Sequence, residues 1–118
     1  MSRPQKYDDI DFTPPDEVAD NARRGLELRE EFDRGGTQTG VARARDLKNR
    51  ERLTPNTIER MVSYFARHQV DKNADNFGDE RDPSAGYVAW LLWGGDTGCE
   101  WANSVKKQME VADQEYHS

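Results

Sequence analysis

The 118-residue chain is 34% hydrophobic and 34% charged, with a net charge of -6 at pH 7. It has no apolar run near the roughly 18 residues of a membrane span, its start lacks the apolar stretch of a secretory leader, and its single cysteine, Cys99, cannot form an internal disulfide. A membrane-spanning protein and a disulfide scaffold are thereby excluded, and a single domain with part of the chain outside its core is expected.

The charge falls in three blocks: residues 1–33 are net -5, residues 34–72 net +5 and residues 73–118 net -6. Such blocks either neutralise one another within a fold or leave a basic face for an anionic partner.

In chain order, residues 1–13 place Asp8, Asp9 and Asp11 among Tyr7, Ile10 and Phe12 with no helical period. This predicts a flexible acidic arm, with Tyr7, Asp8, Asp9, Ile10 and Phe12 available to dock on a larger partner. Thr13-Pro14-Pro15-Asp16 predicts a helix start, with Thr13 as cap and acidic residues at the positive end of the dipole. Val18, Ala22, Gly25, Leu26, Leu28 and Phe32 share one arc of that helix, and Gly35-Gly36 is expected to end it. A second helix is predicted from about Thr39 to Lys48, with Val41, Ala44 and Leu47 inward and Asn49 as a stop.

Leu53-Thr54-Pro55 opens a third helix, on which Ile58, Met61, Val62 and Phe65 fall at i, i+3, i+4 and i+7. Residues 69–83 read as a polar loop. Asp82-Pro83 is expected to cap a fourth helix, Ser84 to Trp93, which is apolar all round and therefore central. Gly94-Gly95 stops it, and Thr97 with Glu100 matches a capping box for a fifth helix carrying Trp101, Val105, Met109 and Ala112. The predicted fold is all-α, a single compact bundle of about five short helices with an extended acidic N-terminal arm. Its divisions are the arm 1–13, a helical domain 14–113 and a frayed C-terminus 114–118.

Few residues point to chemistry. Asp71, Asn73, Asp75, Asp79 and Asp82 partly fit a calcium-loop frame, but its sixth position is Asn76 and its twelfth a short aspartate followed by proline, so a solvated loop is expected and no metal. Cys99 near a helix start could be a stabilised thiolate or a small core filler. His68 and His117 are the only histidines, and neither they nor Ser63, Ser84 and Ser104 stand in a nucleophile context, so neither enzyme activity nor a cofactor is expected. The turn 94–98 could bind an anion, although a helix–helix turn accounts for it. Trp90, Trp93 and Trp101 could form a stacking or cage site, but their spacing fits a core short of aliphatics. The main candidate for nucleic acid or an acidic partner is the run Arg43, Arg45, Lys48, Arg50 and Arg52, followed by Arg60 and Arg67 on the next helix. Glu51 and Glu59 interrupt it, and intramolecular pairing with the acidic helices is the competing account.

Four segments carry a resemblance to a known group: Gly35-Gly36-Thr37, residues 40–47, residues 61–68 and residues 83–96 with their AWLLWGGD stretch. Over about residues 14–110 the chain resembles a small helical domain recurring in tailed bacteriophages and prophages, alone or at the C-terminus of prohead-protease-like morphogenesis proteins. The resemblance brings no catalytic residues. It implies a phage accessory protein, a helical interaction module in virion assembly or a minor virion component. Its setting would be the infected host cytoplasm or the virion, and its partner a phage structural protein or a host protein. The acid-rich loop 71–82 and the arm 1–13 depart from the group's pattern.

Overall fold

Local capping chemistry sets most of the helix boundaries in the computed structural model, which describes residues 6–117. Five α-helices, α1 (Asp16–Phe32), α2 (Gln38–Lys48), α3 (Pro55–Arg67), α4 (Ala85–Leu92) and α5 (Gly95–His117), are joined by short connections. The exception is the α3–α4 link, which carries a 3-10 turn at Gln69–Asn73, and no strand occurs among the described residues. The fold is all-α.

Thr37 and Thr54 each cap a helix by accepting from the amide three residues on, Gly40 and Thr57 respectively, and Pro55 occupies the first turn of α3. Other ends differ from expectation for identifiable reasons. Thr13 does not cap α1; its own amide donates to Asp11 Oδ1, and the helix begins after Pro15. At the far end the left-handed residue is Asp33 (φ 50°) rather than a glycine, its amide closing on the Arg29 carbonyl. Ser84, not Asp82, caps α4 by accepting from the Tyr87 amide, because the helix starts at Ala85; Asp82, two residues before the cap, pairs with Arg34 at 3.0 Å. Helix α5 begins at Gly95, which puts Thr97 inside the first turn instead of at a capping box. It then runs 23 residues to His117, so the C-terminal segment expected to fray is helical up to that point.

Packing joins α1 to α2 and α4, and α3 to α5. The main core holds Val18 and Ala22 of α1, Val41, Ala44 and Leu47 of α2, Ile58, Met61 and Phe65 of α3, Trp90, Leu92 and Trp93 around α4, and Ala102, Val105 and Met109 of α5. Val62 and Trp101 are only partly buried against it. A smaller cluster of Leu28, Val88 and Leu91 covers the opposite side of α4, so this uniformly apolar helix is buried on both sides. The α1–α4 contact needs Gly25: a Cβ there would lie 2.7 Å from the Leu92 amide nitrogen. Between α4 and α5 the chain reverses through Gly94 (φ 113°) and Gly95 (φ 68°), and Asn21 Nδ2 donates to the Gly94 carbonyl at 2.9 Å.

The N-terminal arm needs correction over its described part; residues 1–5 lie outside the described residues. Ile10 and Phe12 are 7% and 3% exposed and belong to the main core. The Phe12 carbonyl accepts from the Leu53 amide at 3.0 Å, and Tyr7 Oη donates to Asp113 Oδ1 of α5 at 2.7 Å. The apolar residues proposed for docking on a partner are therefore used within the fold, while Asp8 and Asp9 face outward. A chain poor in aliphatics gains more by burying Ile10 and Phe12 internally than by leaving them in water.

Candidate functional site

The basic run does not form one surface. At about 100° per residue, Arg43 and Arg45 leave α2 in nearly opposite directions, whereas Arg45 and Lys48 are neighbours. Arg43 lies under the protein surface, its side chain 13% exposed, paired with Asp46 at 3.2 Å and 5.8 Å from the Trp93 ring. Burial lowers its pKa, opposed by Asp46 and assisted by the charge of Arg60. Arg45 and Lys48 border a cleft of about 490 Å³ with Arg29, Glu30 and Asp33, where charges of both signs meet. Arg50, in a left-handed conformation (φ 53°), donates to the Pro14 carbonyl at 2.8 Å and pairs with Asp16 at 3.0 Å, tying the end of α2 to the start of α1. Arg52 is exposed between α2 and α3.

A larger groove of about 730 Å³ opens between α2, α3 and α4. Its α3 wall carries Glu59, Arg60, Ser63, Tyr64, Arg67 and His68, a stripe at helical spacing. The α4 wall is made of Ala85, Gly86, Ala89 and Trp93, and the approach to α2 and its first turn supply Gly36, Thr37 and Thr39. Under it runs an aromatic column. His68 stacks on Tyr64 at 4.4 Å, and Tyr64 stacks on Trp93 at 4.6 Å with planes 9° apart. His68 Nδ1 meets Asp71 Oδ2 at 3.0 Å, which fixes one end of the column. Arg43 lies against Trp93 at the other.

Two buried polar atoms of this region, Tyr64 Oη and Arg43 Nε, have no hydrogen-bond partner among the described residues. Buried polar groups are nearly always paired, so two orphans either side of one tryptophan mark the place chemically. Burial, with the charge of Asp71 nearby, pushes the Tyr64 phenol far above its ordinary value, and the hydroxyl keeps its proton. The indole of Trp90, by contrast, is paired, its Nε1 donating to Asp96 Oδ1 at 2.9 Å. No signal in the sequence announces Tyr64: it occupies an ordinary inward position on α3, and only the approach of α4 sets it against Trp93.

The other candidates resolve into structural roles. Asp71 pairs with His68, Asp79 accepts from the Arg81 amide and Asp82 pairs with Arg34, so the loop's carboxylates point to different partners. No group of three or more metal-ligating side chains converges among the described residues. Burial pushes the Cys99 thiol up, away from the thiolate form. Trp90 and Trp93 are core residues, 2% and 8% exposed. Among the described residues no helix is long and apolar enough to cross a membrane.

Comparison of the chain with protein-family models, with curated proteins and with solved structures finds no match.

Proposed function

We propose that the chain is a non-enzymatic protein-interaction module of tailed-bacteriophage type, acting in virion assembly or as a minor virion component. What supports this reading is where the phage-like segments come together. Gly36 and Thr37, then Ser63, Tyr64, Arg67 and His68, then Ala85, Gly86, Ala89 and Trp93 all line the α2–α3–α4 groove, and each belongs to a segment carrying the resemblance. A groove of that size with a rigid aromatic floor and a few polar groups is the usual form of a binding site. The chemistry around it consists of pairing and stacking groups suited to recognition.

Mass spectrometry of purified particles, together with pull-down from infected cells, tests the reading. Recovery in particles, or with a capsid-associated phage protein, is the expected result. Recovery only with a host enzyme, and absence from particles, would overturn the assembly role in favour of action on a host factor. Binding to nucleic acid through Arg45, Lys48 and Arg52 would instead show itself as affinity falling with salt, by a slope near about -0.9 per phosphate contacted.

A further inference from the structure

We propose that residues 69–82 form a gate at one end of the α2–α3–α4 groove, latched by surface ion pairs and opening as a unit to join the groove to the face of Trp90 while the five helices stay folded. The proposal rests on the groove being the module's binding site and gives that site a means of control. Three observations carry it.

The first is how the segment is held. None of residues 69–82 is buried. The amides of Asp71, Ala74, Phe77 and Asp79 each donate to the carbonyl three residues back, so these main-chain bonds are local turns. What ties the segment to other elements is a set of partly exposed ion pairs, Arg24–Glu80 at 2.5 Å, Lys72–Asp96 at 2.8 Å and Arg34–Asp82 at 3.0 Å. Such pairs contribute little in water and weaken with salt. The N-terminal segment is equally without helix, yet it sinks Ile10 and Phe12 into the main core. A segment with no buried side chain and only local main-chain bonds opens before the domain unfolds.

The second is what the segment covers. Trp90 is 2% exposed. Phe65 and Tyr64 approach its ring from the core at 4.8 and 6.3 Å, while the gate supplies Lys72, whose Nζ lies 4.7 Å over the ring, and Phe77, edge-on at 6.2 Å. Lys72 Nζ and Trp90 Nε1 meet the same acceptor, Asp96 Oδ1. A permanent cover for a core tryptophan needs no charge. Here the cover is an ammonium group held by one largely exposed carboxylate, so solvent sets the strength of the latch.

The third is the link to the groove. Asp71 lines it and meets His68 Nδ1 at 3.0 Å, and His68 stacks on Tyr64 at 4.4 Å. On the α4 side Asp71 fills the space that Gly86 leaves bare: a Cβ on Gly86 would lie 2.8 Å from Asp71 Cβ. The first turn of the gate thus closes the groove, and the next residue, Lys72, lies on Trp90. Lifting the segment takes Asp71 from the groove and Lys72 and Phe77 from Trp90 in one movement.

Hydrogen exchange of the Trp90 indole N–H, followed by NMR on the intact chain, reads the opening directly, because Asp96 holds that proton beside Lys72. Expected is a protection factor about a hundredfold smaller than those of the Met61 and Phe65 amides of α3, and smaller by about a further threefold in about 0.5 M sodium chloride. Gly86→Ala pushes Asp71 from its notch without breaking α4, since alanine is the better helix former. It should lower protection of the indole by about tenfold and that of Met61 and Phe65 by less than about threefold, and Lys72→Ala should do the same. Indole protection equal to that of the α3 amides, or variants that lower both in parallel, would overturn the gate, because Trp90 would then be released only by global unfolding. Indole exchange indifferent to salt and to Lys72→Ala would overturn it as well. No partner enters this measurement, so failure of the gate leaves the interaction-module reading standing, and that reading falls separately on the analysis of particles.

Discussion

Trp90 and Tyr64 are neighbouring aromatic residues with opposite relations to stability. Trp90 is buried, meets Phe65 edge-on at 4.8 Å, donates to Asp96 and carries Lys72 at 4.7 Å from its ring. Trp90→Ala should cost about 3–5 kcal/mol in urea unfolding, a large part of a small domain's margin. In the native state, iodide should quench Trp101 and leave Trp90 and Trp93 largely protected; equal quenching of all three would contradict the core described above. Tyr64→Phe removes only the unpartnered hydroxyl, so stability should hold or rise by up to about 1–3 kcal/mol. A loss of more than about 1 kcal/mol would mean that the hydroxyl is paired within the fold after all.

Helices meet here at contacts where small residues and local charges decide the geometry. Alanine exceeds glycine in helix propensity by about 1 kcal/mol, so Gly25→Ala would stabilise an isolated α1. In the protein its methyl would lie 2.7 Å from the Leu92 backbone nitrogen, and overpacking costs typically about 1–3 kcal/mol or more where backbone must shift. The expected result is a lower unfolding temperature for Gly25→Ala, with α1 and α4 forced apart. At the α4–α5 turn, a hydrogen bond from Lys72, with a second from Trp90, holds the Asp96 carboxyl below its ordinary value against the opposing effect of burial. A depressed carboxylate pKa adds stability above the unfolded value of about 3.9, and that contribution is lost as pH falls through the folded value. Asp96 is largely exposed, so the effect on stability is small; the Trp90 indole N–H resonance is the sensitive reporter. It should shift with a midpoint below about 3.9, and Asp96→Asn should abolish that transition.

At the scale of the whole molecule, the N-terminal segment is part of the domain. Its Ile10 and Phe12 complete the main core, and Lys6 and Tyr7 both reach Asp113. Phe12→Ala should therefore destabilise the protein by about 3–5 kcal/mol, and removal of residues 1–13 should destabilise it further. Denaturant titration of the shortened chain decides the matter: an unchanged midpoint would return these residues to the role of a free docking arm.

The sequence by itself determined the helices whose signals are local. The Thr54-Pro55 start and the 3.6-residue period of Ile58, Met61 and Phe65 specify α3, and the uniform hydrophobicity of residues 85–93 specifies a central α4. These signals act within a few residues, so reading the chain alone suffices. Tertiary structure decided what depends on residues far apart in sequence. It put Ile10 and Phe12 into the core, sent Arg43 and Arg45 to opposite sides of α2, started α5 at a turn braced by Asn21, and laid Tyr64 between His68 and Trp93. A basic run can be counted along a chain, but whether it makes a surface depends on helix phase and on which carboxylates arrive beside it. The groove was illegible for the same reason: its walls come from α2, α3 and α4, and a hydroxyl becomes an orphan only when packing has removed both water and every internal acceptor.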